Sequence, residues 1–273
     1  MSSEVPQGSS GHIQSSVRNV LCALGFILWI VFLVPPLISW TKSYEFVQAA
    51  QYCCFAIVVP FLLVAGGSWR CLGLAPSSEL RIDSDGVPVA VSKPRRIDRF
   101  AIRSSRRIGH RQVVTMVIIF VGQSIFWRSS PVVDALIRHP WLSTIESLTL
   151  ILAGVFLWLD LVEASPFHPG ATRPYRIGVS AISMWTVWVL AYLTAMSQDP
   201  WYRGFQHVAG QGLSPSADQQ FTAGVMWFIS AAAFLPVIFS NLIRWLKSED
   251  DPDDELYRLV RRDHTRGFFG TNP

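Results

Sequence analysis

The sequence predicts an all-α fold, a polytopic transmembrane bundle of about six or seven helices with both termini cytoplasmic. Three observations predict it. Half of the 273 residues are hydrophobic and only 15% are charged, whereas soluble domains carry about 25% charged residues. Apolar runs close to the roughly 20 residues needed to cross about 30 Å of hydrocarbon recur along the chain. The 23 Lys/Arg residues gather in alternate connections, as the positive-inside rule requires.

The first run, Val20–Trp40, is too long for a cleavable leader and no small-residue cleavage site follows it, so it is expected to remain as an anchor. Pro35-Pro36 near its end removes helix hydrogen bonds and should kink it. The second run, Phe46–Gly67, carries Gln48, Gln51 and Pro60. Val113–Trp127 is the third; it is short and contains Gln123 and Ser124, and its extension Pro131–Leu142 suggests a short interfacial helix or re-entrant piece. The fourth, Leu142–Leu161, places Glu146 about one turn inside its end. Ile177–Ser197 and Phe221–Leu246 complete the set. Asp218, Gln219 and Gln220 precede the last run, where the free N–H groups of a helix start favour acidic and amide oxygens.

Charge sets the orientation. Most Lys/Arg lie at the N-terminus, in the 68–111 connection, near Arg173 and Arg176, and in the C-terminal segment; only Lys42, Arg128, Arg138 and Arg203 fall in the other connections. Residues 1–18 read as a disordered cytoplasmic N-terminus. Residues 19–247 form the transmembrane domain, with a cytoplasmic basic loop at 68–111 and an outer loop at 198–217. Residues 248–273 form a cytoplasmic tail. Within the basic loop, Leu80–Val91 alternates around a turn signal at Asp85-Gly86, consistent with a hairpin. The basic residues are topology determinants and contacts for lipid head groups, not a nucleic-acid surface. Trp40, Trp127, Trp141 and Trp201 would form an outer aromatic belt.

Few residues could carry chemistry. An ionisable group in a span is costly and is read as functional by default, which singles out Glu146 as a proton-handling group or ligand. The competing reading pairs it with Arg128 or Arg138. Gln48, Gln51 and Gln123 more often bond a neighbouring helix than a substrate. Cys22, Cys53, Cys54 and Cys71 lie in or beside spans, so they do not form a disulfide framework. Soft sulfur suits Cu(I), and Cys53, Cys54 and Met226 would share one half of the bundle, but buried Cys and Met are also ordinary packing residues. There is no zinc spacing, nucleophile elbow, phosphate loop or dinucleotide fingerprint, so the expectation is a protein that is not an enzyme. A carboxylate pair of Glu146 and Asp218 is the enzyme reading; a metal or small-solute transporter is the alternative from a third class.

Gly212–Trp227, with its GLSP, ADQQ and MW elements, resembles the signature near the last helix of CtaG-type cytochrome c oxidase assembly factors, polytopic proteins of the bacterial inner membrane. Gln51–Gly66 resembles the family's second helix. Trp127, Asp134, Glu146, Gly154 and Trp158 keep its landmark spacing, and Asp199–Tyr202 resembles its outer loop. The resemblance implies Gln51, Trp127, Asp134, Glu146, Asp218, Gln219 and Met226 as motif positions. It also implies an oxidase subunit as partner beside the lipid bilayer, and either copper delivery or scaffolding as the role. The chain departs from the family at four positions where members carry histidine: Tyr52, Arg128, Ser143 and Ser147 stand there instead. Either another ligand set, with Cys53 or Cys54, has replaced the imidazoles, or metal binding has gone.

Overall fold

Apolar side chains on every face make α1 (Ser9–Leu33) a peripheral helix. Val20, Leu24, Ile27 and Ile30 stay exposed on it, as lipid-facing residues do. The computed structural model describes residues 9–68, 78–82, 88–92, 110–162, 172–197, 199–208 and 212–249. A cis Pro35-Pro36 bond separates α1 from the short helix α2 (Leu37–Ser43). The central span follows: α3 (Glu45–Cys53), a π-helical turn (Cys54–Val58) and α4 (Val59–Gly66). This span is 72% buried against 11% for the window in α1, so the bundle is built around it.

The π turn has a local cause. Pro60 lacks an N–H, and its ring would meet the carbonyl of Ala56 in a regular helix. The backbone widens immediately ahead of it, and the Val59 N–H reaches back five residues to the Cys54 carbonyl. The bulge packs against α7 (Leu142–Leu161). A Cβ at Gly154 of α7 would stand 2.5 Å from Pro60 Cγ and 2.6 Å from the Ala56 carbonyl oxygen, so the contact requires glycine. One turn on, Trp158 Nε1–H donates to the Ile57 carbonyl at 3.0 Å, and its ring stacks on Phe234 and meets Phe61 edge-on.

Helix α5 (His110–Trp127) turns through 63° into α6 (Ser130–Arg138), with Ser129 extended and Pro131 in the first turn of α6. Helices α8 (Arg173–Met196) and α9 (Pro215–Glu249) form a long pair, pinned by Arg173 Nη1–H to the Arg244 carbonyl at 2.8 Å. A 3₁₀ turn, Arg203–Val208, lies in the loop between them. Strands β1 (Ser78–Ile82) and β2 (Pro88–Ser92) pair antiparallel with Leu80 opposite Ala90, the hairpin expected in the basic loop. Among the described residues, five helices are long and apolar enough to cross a membrane, or six if α5 and α6 count as one broken span.

Several expectations need correction. The first span does not run to Trp40, because the diproline ends α1 at Leu33. Helix α1 begins at Ser9, inside the segment 1–18 whose polar composition suggested disorder. Pro215 opens α9, so the 198–217 loop ends earlier, at Ser214. Trp127 is not a belt residue: it is 5% exposed and donates to Thr149 Oγ1 at 3.1 Å, whereas Trp40, Trp141 and Trp201 are exposed. Cys71, the Asp85-Gly86 turn and most of the 248–273 tail lie outside the described residues.

Candidate functional site

At the Trp141 end of the bundle, the loop joining α8 to α9 is stitched down by side-chain bonds. Asp218, in the first turn of α9, accepts the backbone N–H groups of Glu45 (2.8 Å) and Phe46 (3.0 Å). It therefore caps α3, not its own helix, which is capped by Ser214 Oγ accepting from the Ala217 N–H at 3.2 Å. Gln219 accepts the Trp201 N–H at 3.2 Å and donates to the carbonyls of Thr194 and, at 3.0 Å, Ser197. Asp134 of α6 accepts the Gly204 N–H at 3.0 Å. Three of the predicted motif positions thus fasten one cap.

Beneath this cap lies a buried polar cluster centred on Arg128. The α5–α6 bend carries Arg128 inward, where Tyr202 Oη–H donates to its carbonyl at 2.9 Å. Burial raises the pKa of the Tyr202 phenol, which keeps the hydroxyl protonated as that donor. Arg128 Nη1–H donates to Gln48 Oε1. The guanidinium carbon lies 4.9 Å from the Tyr202 ring centroid and 5.8 Å from that of Tyr52, both cation–π distances. Arg128 Nε and Nη2 have no hydrogen-bond partner among the described protein groups. Two buried carboxylates, Glu45 and Glu146, feel its charge.

Glu146, Ser143, Gln48 and Gln51 line a small cavity with Thr41 and Lys42, and Gln51 Nε2–H reaches the Phe32 carbonyl of α1 at 2.9 Å. Ser147, one turn along α7, accepts the Trp29 indole N–H at 3.2 Å. The structure therefore brings Gln51, Tyr52, Arg128, Ser143 and Glu146 into one buried region, while the equally buried Ser147 turns to Trp29 of α1. Trp127 braces it through α7, whereas Asp134, Asp218 and Gln219 belong to the cap. Glu146 has no direct hydrogen-bond partner on either oxygen among the described residues, and Arg138 donates to the Asp134 carbonyl instead.

Copper, which the family resemblance implies, is poorly matched by this donor set. Phenol, hydroxyl, amide and carboxyl groups surround a guanidinium, without imidazole and with the Cys53 thiol as the one sulfur in electrostatic range among the described residues. Among the described residues, no group of three or more His, Cys, Asp or Glu is placed to hold a metal ion. Of the sulfur candidates, Cys53 is fully buried within electrostatic range of Arg128, Met226 is fully buried in the apolar core, and Cys54 opens the π turn half-buried.

Sequence reasoning missed Glu45 and Tyr202 as members of the cluster. Glu45 stands one residue before the predicted second span, and a carboxylate at that edge is the signal that could have drawn it in.

Comparison with protein-family models matches residues 7–248 to the cytochrome c oxidase caa3 assembly factor family. No curated protein and no solved structure matches the chain.

Proposed function

Since the chain belongs to the cytochrome c oxidase caa3 assembly factor family, we propose that it serves oxidase assembly by holding a subunit rather than by passing copper. The protein sits in the bacterial plasma membrane, with the Trp141 end facing outward and both termini in the cytoplasm. One observation carries the scaffolding reading: the polar cluster is organised around Arg128, a resident cation. Such a site ties helices together through its hydrogen bonds and ring contacts and presents no imidazole to a metal. The apolar faces of α5, α8 and α9, which expose Ile118, Trp185, Phe221 and Phe228, offer membrane surface to a subunit. The aromatic group of Trp158, Phe61 and Phe234 fills the interior with rings, which disfavours the transporter reading.

The test is a reduced-minus-oxidised spectrum of membranes from a deletion strain, with oxidase activity assayed with and without added copper. Holding predicts loss of the oxidase haem signal together with activity, unrescued by copper. Retained haem signal with copper-rescued activity would overturn it in favour of delivery. Unchanged spectra and activity would remove both roles.

Copper passage through Cys53, Cys54 and Met226 is the second reading, favoured by the shared burial of Cys53 and Met226 in one core. Titration of the purified protein with Cu(I) against a competing chelator checks it: tight binding lost in Cys54→Ser would support this reading.

A further inference from the structure

The chemistry of Gln48 fixes which way its amide faces. A guanidinium has only donors, so the group that Arg128 Nη1–H meets must be the Gln48 oxygen. The Gln48 NH2 is thereby turned the other way, and Nε2 has no partner among the described residues although Gln48 is only 3% exposed. Across the same cavity stands Glu146, 1% exposed, with neither carboxylate oxygen partnered. Gln48 and Glu146, each carrying an unpartnered polar group, thus line one small, partly open space with room for the centre of a single water (≈ 10 Å³). That is close to the smallest volume that holds an ordered water, which needs two to four polar partners. Leaving both groups dry is unfavourable, because a buried polar group without a hydrogen bond forfeits its hydration with nothing in return.

We propose that this cavity is a built site for one water molecule. The water accepts from Gln48 Nε2–H and donates to Glu146, with Ser143 and Gln51 at hand for its remaining bonds. The result is a continuous chain from the Arg128 guanidinium through the Gln48 amide and the water to the Glu146 carboxylate. It joins the α5–α6 bend to α3 and α7 without a direct ion pair. Glu146 is then the counter-charge of Arg128 at one remove, sharing that charge with Glu45 on the same helix as Gln48. Lys42 and Thr41 of α2 also border the cavity.

Two measurements test this on the full-length protein in lipid nanodiscs. The first is a map of the wild-type protein that resolves ordered waters. A peak within roughly 2.6–3.2 Å of both Gln48 Nε2 and a Glu146 oxygen supports the site. A direct contact of Glu146 with Arg128 or Gln48, with no peak between, overturns it. The second is a double-mutant cycle of Arg128→Gln and Glu146→Gln on the unfolding equilibrium, repeated with Gln48→Leu added. Coupling of roughly five- to twentyfold that falls to within about twofold without Gln48 supports the relay. Coupling unchanged by Gln48→Leu refutes it. Neither measurement involves an oxidase, so the outcome is separable from that of the deletion strain.

Discussion

Asp218→Asn isolates the cross-helix cap. The carboxylate holds two N–H groups of the first turn of α3, at 2.8 and 3.0 Å, in a buried setting. A hydrogen bond to a charged group contributes about 1.5–3 kcal/mol, and an anion at a helix N-terminus adds roughly 0.3–1 kcal/mol, more when partly buried. Asparagine keeps one acceptor oxygen but turns an NH2 toward the second N–H. One charge-assisted bond and the charge–dipole attraction are lost together, giving about 2–3 kcal/mol. That corresponds to a roughly 30- to 150-fold shift in the unfolding equilibrium, at tenfold per 1.4 kcal/mol. SDS titration of the purified protein, followed by tryptophan fluorescence, reads this directly. Ser214→Ala is the control, because it removes the exposed cap of α9 itself and should cost only about 0.5–1 kcal/mol. An Asp218→Asn variant no less stable than Ser214→Ala would refute the assignment of Asp218 to α3.

Gly154→Ala forces a methyl against the Ala56 carbonyl and Pro60, and should cost about 1–3 kcal/mol in the same titration. Gly178→Ala, where an added Cβ meets nothing within 4 Å, should change stability by less than about 0.5 kcal/mol. Arg128→Met leaves Glu45 and Glu146 without their cation and should destabilise by about 3–5 kcal/mol; adding Glu146→Gln should recover part of that loss, again read by SDS titration. An alkaline phosphatase reporter fused after His139 should be active in intact cells and one fused after Glu249 inactive; the reverse pattern would invert the proposed orientation.

The spans were legible because hydrocarbon thickness demands long apolar runs, and Leu142–Leu161 has the predicted bounds. The break after α1 was less legible, since a diproline in an apolar run signals a kink and an end equally well. In the polar site, Glu146 announced itself as an ionisable group inside a span. Arg128 did not, because it follows the last apolar residue of its run and looked like a connection residue. Only the 63° bend returns it to the interior. Asp218 was legible as a helix-terminus acid, but which helix it serves depends on α9 lying beside α3, a contact between residues 173 positions apart.

The π turn at Cys54–Val58 also acts as a phase adjuster. Inserting one residue into a helix advances everything beyond it by about 100°. The two halves of the central span can therefore serve different contacts: Gln48 and Tyr52 turn toward Arg128, while Gly66 meets the backbone of α1 at Cys22 and Arg18. Deleting a single residue between Cys54 and Val58 would remove that phase advance and set Pro60 against the carbonyl one turn before it. It would also swing one half out of step with the other, so that either the Arg128 site or the crossing with α1 could form, but not both.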